Sequence, residues 1–308
     1  MLRSTLLAAA RSPHCRSAAE RTPFLRPIVD RFVAGTDVDS AVRTAGELAT
    51  DRFVTLDHLG EDTTDRRQVE VTVEAYRTLL SRLAWAGLSG RAEVSVKLSA
   101  LGQALPVDGE KVALDAARRI CAAAAGAGTT VTVDMEDHTT TDSTLSIVRD
   151  LRLDFPGTGA VLQAYLRRTE ADCADLAGPG SRVRLCKGAY DEPASVAFRD
   201  KSEVDRSYVR CLRVLLGGQG HPMIATHDDR LLAIAEDLAA RAGRTAGDHE
   251  FQMLYGVRPD LQRRIAARGH RMRVYVPYGT EWYPYFMRRL GERPANLAFF
   301  ARALGSGS

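Results

Sequence analysis

The chain has no long apolar run and no excess of charge of one sign. Its hydrophobic residues make up 45% of 308 positions, yet no stretch approaches the roughly 20 residues of a membrane-spanning helix. Its 42 basic and 39 acidic residues are interleaved and leave a net charge of +3, so no segment presents the one-sided basic face of a nucleic-acid binder. The composition predicts a folded, enzyme-sized body without a nucleic-acid partner.

Cysteine is scarce and irregularly spaced. The five cysteines are odd in number and form no C-x-x-C pair: Cys15, Cys121, Cys173, Cys186 and Cys211. This pattern argues against a disulfide framework and against a structural zinc site. It is typical of a reducing compartment, so we expect a cytoplasmic protein, with peripheral attachment to the inner face of the cell membrane left open.

Lysine is also rare. Only four of the 42 basic residues are lysine, namely Lys97, Lys111, Lys187 and Lys201. Where arginine is the usual cation, each remaining lysine is a candidate for a specific role, because the two side chains are not interchangeable.

The N-terminus is rich in arginine and has no acidic residue before Glu20. This composition is similar to that of a mitochondrial presequence. The interpretation we prefer is the first helix of a bacterial enzyme, with an apolar face formed by Leu2, Leu6, Leu7 and Ala10. Such a helix could also lie on a membrane surface.

What the chain does contain is an alternation of short β-branched runs with longer amphipathic stretches. Two short helices come first, at 28–34 and 39–50, the second with Asp39 or Ser40 as its N-cap. The predicted strands are 52–56, 93–98, 129–135, 160–165, 182–186, 223–226, 250–254 and 273–276. The predicted helices are 64–86, 110–125, 141–151, 170–176, 201–216, 228–241, 258–267 and 283–290.

Eight strand-then-helix units are typical of a (β/α)8 barrel, an α/β fold of about 250 residues. We expect residues 1–50 to form N-terminal helices packed on the barrel, and 51–308 to form the barrel with a C-terminal helix and tail. The alternative is an open doubly wound sheet, which the lack of a G-x-G-x-x-G motif after the first strand disfavours.

Polar residues collect where the predicted strands end, which is where a barrel of this kind places its catalytic groups. They are Asp57, His58, Lys97, Asp134, Glu136, Gln163, Lys187, Thr226, His227, Gln252, Tyr255 and Tyr275. Arg184 lies inside the fifth strand, where a charge is costly unless it is paired or binds a ligand. Together with Lys187, it suits a large anionic group, and the turn at Gly188 would let a cofactor approach the backbone.

Several of these residues also have structural interpretations. Lys97 could form a salt bridge with Asp134, Asp57 could cap the loop that follows it, and His227 could assist a helix cap. Asp134-Met-Glu-Asp-His138 contains metal-ligand types, but no second histidine is near in sequence, so we expect no metal site.

Near the C-terminus, Arg288 and Arg289 stand side by side on a short aromatic helix. Adjacent helical residues diverge by about 100°, so both can reach one ligand only if the helix faces a cavity. This would suit a small carboxylate or phosphate. The alternative is a solvated basic helix.

The motifs closely resemble those of the proline dehydrogenase family, over about residues 28–300 and in the same order. The resemblance is carried by Val94-Ser-Val-Lys97-Leu-Ser-Ala-Leu101, Val133-Asp134-Met-Glu136, Gln163-Ala-Tyr165, Arg184-Leu-Cys-Lys187-Gly-Ala-Tyr190, Ala225-Thr-His227 and Glu250-Phe-Gln-Met-Leu254-Tyr-Gly256. Small, single-activity bacterial members are the nearest likeness. The resemblance implies a distorted barrel that binds FAD, oxidises L-proline to Δ1-pyrroline-5-carboxylate and passes electrons to a membrane quinone.

The resemblance also implies roles for individual residues. The catalytic group would be Asp134, Arg184 and Tyr275, and the substrate would contact Lys97, Arg288, Arg289, Leu254 and Tyr285. FAD would be bound by Met135, Gln163, Arg184, Cys186, Lys187, Gly188, Ala189, Thr226, His227 and Glu292. Glu61 would form an ion-pair gate with Arg288.

The chain departs from larger bifunctional relatives in three ways. Asp191 stands where those relatives have an aromatic residue. The turn before the arginine pair is shorter, so the register of Tyr285 is left open. No second catalytic domain follows Leu304. The next enzyme, a pyrroline-5-carboxylate dehydrogenase, would then be a separate protein and a transient partner.

Two functions of other classes remain as alternatives. Lys97 could be the Schiff-base nucleophile of a barrel lyase or aldolase, since a strand-borne lysine is a common position for one. The chain could also be a non-catalytic, membrane-surface binding protein.

Overall fold

The computed structural model describes residues 26–292, with side chains up to Arg289. The expected N-terminal helix carrying Leu2 and Leu6, and the tail at 295–304, lie outside the described residues.

Within residues 26–292, eight parallel strands pair in sequence order and close into a barrel. The strands are β1 (Phe53–His58), β2 (Ala92–Val96), β3 (Val131–Val133), β4 (Gly159–Gln163), β5 (Arg182–Cys186), β6 (His221–Ala225), β7 (Glu250–Leu254) and β8 (Met272–Tyr278). β8 pairs with β1 from Phe53↔Arg273 to His58↔Tyr278. The predicted (β/α)8 barrel is confirmed, and the open sheet is excluded because its two edge strands would not meet.

The predicted helices are confirmed with their ends shifted by a few residues. They are α1 (Arg26–Asp30), α2 (Val38–Leu48), α3 (Arg66–Trp85), α4 (Gly109–Gly126), α5 (Thr141–Asp154), α6 (Thr169–Asp175), α7 (Lys201–Gly217), α8 (Asp229–Arg241), α9 (Pro259–Ala267) and α10 (Trp282–Glu292). Short 3-10 turns at Ser99–Leu101 and His138–Thr140 follow β2 and β3.

The start of α2 corrects one prediction. The N-cap is Asp37 rather than Asp39 or Ser40, because the extended Asp37 accepts a hydrogen bond from the Ser40 N–H at 2.8 Å. An aspartate one turn ahead satisfies the open N–H groups of a helix in this way. The cap of α8 is Asp228, which accepts from the Arg230 N–H at 3.1 Å.

The barrel interior below the mouth holds a buried ion network. The Glu93 carboxylate lies 2.5 Å from Arg182, and the Glu250 carboxylate 2.7 Å from Arg273. Burial alone would raise the pKa of Glu93, but Arg182 and Arg273 outweigh it and lower that pKa to about 2. Because each charge has a partner, this network can form the floor of a polar site.

The last helix lies over the barrel mouth. Tyr283 and Phe286 of α10 pack in one apolar cluster with Ile28, Phe32 and Leu59, the last in the loop after β1. In a regular barrel, the helix that follows the last strand packs against the outside of β8 and β1. Here α2 holds that position and contacts both strands and α3. The arginine-bearing helix α10 instead lies above the strand ends, which distorts the regular barrel.

Two glycines with left-handed backbone test how closely Arg31, the residue after α1, packs against Gly256. Gly256 has φ +72, and a β-carbon there would lie 1.8 Å from the Arg31 carbonyl oxygen, whereas Gly269 has φ +84 and open space around it. Either Gly→Ala change costs about 1–2 kcal/mol in backbone strain. We expect Gly256→Ala to lower the free energy of unfolding by about 1–3 kcal/mol more, because it also overpacks the contact. Urea denaturation compares the two variants, and equal losses would contradict the close packing.

Candidate active site

A compact charged cluster fills the mouth of the barrel. It is built from five strands or strand ends and consists of Asp57, Lys97, Asp134, Arg184 and Tyr275. Asp57 lies in β1, Arg184 in β5 and Tyr275 in β8, while Lys97 and Asp134 directly follow β2 and β3. In parallel barrels the carboxyl ends of all strands meet at one face, so residues distant in sequence come together there.

Lys97 lies between two carboxylates. Its Nζ is 2.6 Å from an Asp57 oxygen and 3.5 Å from an Asp134 oxygen. The Tyr275 hydroxyl is 2.7 Å from those same two carboxylates, so its single proton is shared between them. The predicted ion pair between Lys97 and Asp134 is present, and Asp57 lies closer to Lys97 than Asp134 does. The Asp57 carboxylate is bonded to Lys97 and Tyr275 of this cluster.

Arg184 forms the other side of the cluster. Its Nη1 donates to Asp134 at 2.7 Å and to the Ser95 hydroxyl at 3.1 Å, and its Nε donates to Gln252 at 2.6 Å. The guanidinium carbon lies 5.2 Å from the centre of the Tyr275 ring, a cation–π distance. Four contacts thus fix the plane of this guanidinium.

The cluster holds defined charge states. Burial would lower the pKa of Lys97, but Asp57 and Asp134 outweigh it and raise that pKa above its ordinary value. Burial would raise the pKa of Asp134, yet Lys97 and Arg184 hold it below its usual range. The Tyr275 pKa is raised by burial and by both carboxylates. At neutral pH, Lys97 is therefore a cation, Asp134 an anion and Tyr275 a neutral donor.

The two adjacent arginines of α10 do different things. Arg288 pairs with both carboxylate oxygens of Glu61, one bond being Nη1–Oε2 at 3.0 Å. Arg289 instead places its guanidinium 5.0 Å from the centre of the Tyr285 ring. Burial would raise the Glu61 pKa, but Arg288 lowers it below its usual value. The pair predicted as a gate is present, and it occupies the Arg288 fork.

Residues predicted to bind the cofactor lie at the neighbouring ends of β4, β5 and β6. The Lys187 Nζ is 2.6 Å from Asp205 and 3.2 Å from Asp228. The Gln163 amide donates to the Glu136 carbonyl at 2.7 Å and so ties the end of β4 to the segment after β3. These contacts hold a cation and an amide on one side of the mouth.

Three further predicted cofactor residues have structural partners. Cys186 contacts the Leu162 carbonyl at 3.5 Å, and burial raises the pKa of its thiol to about 11. His227 Nε2 accepts from the Leu254 N–H at 3.0 Å. The Thr226 hydroxyl accepts from the N–H two residues later at 3.2 Å. Because the Nε2 atom of His227 accepts a hydrogen bond, its ring is the tautomer with the proton on Nδ1.

The turn at Gly188 has a physical reason that the sequence did not reveal. Its φ is +110, and a β-carbon there would lie 2.4 Å from the Tyr165 ring. The glycine is required because Tyr165 packs against its backbone. Met135, two residues after β3, is buried. Ala189 directly follows Gly188, and the side chain of Glu292 lies outside the described residues.

Sequence reasoning missed the parts that several residues play. Asp57 is predicted as a strand-end candidate, with a loop cap as its alternative, but not as the partner of Lys97. No specific role is predicted for Ser95, Glu136, Tyr190 or Gln252. Ser95 could have been found because it stands two residues before the strand-end lysine and so faces the same side of β2. Burial raises the pKa of Tyr190, and the Glu61 charge raises it further while Arg288 lowers it. No sequence pattern indicates that Tyr190 lies this close to the gate pair.

In the part of the chain that the structure describes, no group of three or more His, Cys, Asp or Glu residues could hold a metal ion. Over the same residues, no helix combines the length and hydropathy required to cross a membrane.

The buried Glu136 predicts a pH-dependent stability. Its carboxylate accepts from Ser99 N at 2.9 Å and Oγ at 2.5 Å. Burial nevertheless raises its pKa from 4.5 to about 7. Between these pH values the unfolded chain releases a proton that the folded chain keeps. The free energy of unfolding of the protein therefore falls by up to about 3 kcal/mol as the pH rises.

Glu136→Gln removes this titration. We therefore compare the free energy of unfolding of the variant with that of the unsubstituted chain. This difference should shift in favour of the variant by a few kcal/mol as the pH rises from 5 to 8. Urea denaturation at both pH values measures the change, with the exposed Glu110→Gln as the matched control. A pH-independent difference for Glu136→Gln would contradict the assignment.

Several known proteins are similar to this chain. The family profile described as proline dehydrogenase matches residues 41–302. Proline dehydrogenase 1 of Bacillus subtilis (strain 168) is 40% identical over 275 residues, which cover 89% of each chain. Proline dehydrogenase of Deinococcus radiodurans is 38% identical over 310 residues, covering 100% of this chain and 99% of the relative.

A solved structure shares the fold. It is proline utilization A from Bdellovibrio bacteriovorus inactivated by N-propargylglycine, with a TM-score of 0.79 and 26% identity. The match covers 86% of this chain and 32% of that longer protein. The profile spans most of the chain, and the two bacterial relatives align over nearly their whole lengths. The chain therefore belongs to the proline dehydrogenase family.

Proposed function

We propose that this proline dehydrogenase oxidises L-proline to Δ1-pyrroline-5-carboxylate by hydride transfer to FAD and passes the electrons to a membrane quinone. The observation that carries the proposal is the cluster of Asp57, Lys97, Asp134, Arg184 and Tyr275 beneath an arginine-bearing helix. It combines a fixed charge pattern with cations able to hold a small carboxylate.

The substrate carboxylate is the group that the arginine helix suits. Arg288 offers a planar fork, and Glu61 occupies it in this structure. A bound carboxylate would compete with Glu61 for that fork, so opening of the ion pair and substrate binding would be linked. In this proposal Arg289 and Lys97 supply the remaining positive charge.

The wall around the substrate ring is proposed to consist of Tyr275, Leu254 and Tyr285. Tyr275 is anchored through its hydroxyl to two carboxylates, so its ring cannot rotate away without breaking both contacts. Tyr285 is buried beneath Arg289. A fixed aromatic wall would exclude larger or hydroxylated ring analogues and hold proline in one orientation, which is how positioning lowers a barrier.

The residues at the ends of β4 to β6 fit a flavin dinucleotide. Lys187 and Arg184 provide positive charge for a pyrophosphate and for the polar edge of a ring system, and Gln163 provides an amide. The proposed set is completed by Met135, Cys186, Gly188, Ala189, Thr226, His227 and Glu292. When bound, FAD supplies the hydride acceptor. Arg184, already fixed by four contacts, would place a permanent positive charge beside it.

The remaining parts of the proposal rest on the family. They are a cytoplasmic location with peripheral contact to the membrane, where the quinone is reached, and a separate pyrroline-5-carboxylate dehydrogenase as a transient partner. The division into N-terminal helices at 1–50 and a catalytic barrel at 51–308 belongs to the same proposal.

The Schiff-base alternative does not suit Lys97. A nucleophilic lysine needs a lowered pKa, whereas the carboxylates around Lys97 raise its pKa. Borohydride reduction with a carbonyl substrate should therefore leave Lys97 unmodified, and trapping at that residue would favour the lyase.

Arg288→Lys tests the substrate clamp. A point charge cannot replace the planar fork, and losing a charge-assisted hydrogen bond costs about 1.5–3 kcal/mol. We expect KM for L-proline to rise about 10- to 100-fold. Steady-state kinetics measures this, with the exposed Arg77→Lys on α3 as the matched control. An unchanged KM for Arg288→Lys would show that the clamp is misassigned.

The flavin itself is tested by purifying the protein and denaturing it. Released FAD, together with reduction of an artificial dye when L-proline is added, supports the proposal. A colourless protein that takes up no FAD and reduces no dye would overturn it.

A further inference from the structure

A second buried carboxylate stands outside the substrate cluster. Glu192 has 3% of its surface exposed. It lies just beyond the segment Lys187–Tyr190, which contains the proposed cofactor residues Lys187, Gly188 and Ala189. A carboxylate is rarely buried unless it is fully hydrogen-bonded. The partners of Glu192 come from two other strand ends.

Both oxygens of Glu192 are occupied. Oε1 accepts from the His138 backbone N–H at 3.0 Å and from the Tyr165 hydroxyl at 3.2 Å. Oε2 contacts the His138 ring at Nδ1. Because a carboxylate only accepts, the ring presents an N–H on Nδ1. His138 begins the turn after β3 and Tyr165 follows β4, so one side chain connects the loops after β3, β4 and β5.

Tyr165 in turn holds the proposed cofactor segment. Its ring is the surface against which Gly188 packs, and its N–H donates to the Lys187 carbonyl at 2.9 Å. Its carbonyl accepts from the Phe198 N–H at 2.8 Å, beyond the far end of the segment. The position of the Tyr165 ring therefore sets where the backbone at Gly188 runs.

The backbone of Glu192 is also held by a hydrogen bond. Arg199 donates to the Glu192 carbonyl at 2.7 Å and, at the same distance, to the Asp191 carboxylate. Asp191 and Arg199 are both exposed, so this ion pair contributes little by itself. The buried contacts of the Glu192 side chain are what connects the segment to the barrel.

We propose that Glu192 is a positioning residue for the cofactor segment, which through Tyr165 and His138 holds Lys187–Tyr190 in the shape that binds FAD. The inference rests on the proposed function, because the segment is assigned to FAD there. Glu192 touches neither substrate nor cofactor in this account. Its loss should weaken FAD binding while leaving the substrate cluster intact.

The experiment measures FAD affinity rather than turnover. The full chain is stripped of flavin, and the dissociation constant for FAD is obtained from fluorescence quenching for the unsubstituted chain and for Glu192→Ala, Glu192→Gln and Tyr165→Phe. Asp191→Asn is the matched control at the neighbouring position. Far-UV circular dichroism checks that each variant is folded, and KM for L-proline is measured at saturating FAD.

Loss of a buried, charge-assisted acceptor predicts that Glu192→Ala raises the FAD dissociation constant about 10- to 100-fold. Glu192→Gln should restore part of the affinity, since an amide oxygen still accepts. Tyr165→Phe should weaken binding in the same direction, and adding it to Glu192→Ala should cost little more, because both changes remove one shared contact. KM for L-proline should change less than threefold.

Unchanged FAD affinity in folded Glu192→Ala would overturn this inference and leave the proposed function standing. If Glu192→Ala does not fold, unchanged affinity in Tyr165→Phe has the same consequence. Failure of the unsubstituted chain to bind FAD would instead overturn the proposed function.

Discussion

The site depends on the burial of two carboxylates, Asp57 and Asp134, in the mouth of a barrel. A buried anion is stable only with a cation and hydrogen-bond donors around it. Lys97 lies within 2.6 Å of Asp57, and Arg184 within 2.7 Å of Asp134. Tyr275 joins both carboxylates. If Lys97 or Arg184 moved away, a buried carboxylate would lose its closest cation, so these charges hold one another in place.

The same requirement extends below the site. Arg184 donates to Gln252, the Gln252 amide donates to Glu250 at 2.6 Å, and Glu250 is held by Arg273. The floor network therefore fixes the orientation of Arg184 from beneath, as Asp134 does from above. The Glu61–Arg288 pair lies outside this network, at the rim. In the proposed function, the substrate carboxylate takes the place of Glu61 there.

The strand-helix alternation was enough to predict the barrel, because each unit carries its own periodicity and caps. Local pattern could not show that α2 takes the place beside β8 and β1 while α10 rises over the mouth, since that depends on which apolar faces meet. The position of Asp57 at a strand end was visible in the sequence. Its partner was not, because the lysine lies 40 residues away and the distance of 2.6 Å arises only on barrel closure.

Other features could not be read from the sequence for similar reasons. Glu192 and His138 are ordinary surface types that become a buried contact only when three loops converge. Gly188 was noted as a place for close approach, but the group that approaches it in the structure is the Tyr165 ring. The residue types at the strand ends predict which positions belong to the candidate site. Which of these side chains contact one another can be known only from the closed barrel.

The central claim is that the charged cluster and the segment beside it unite L-proline with a flavin. The most direct measurement is the visible absorption spectrum of the purified protein under anaerobic conditions, before and after L-proline is added. We expect the flavin bands to be present and to bleach when L-proline is supplied. A flavin spectrum that stays unchanged by saturating L-proline would contradict it.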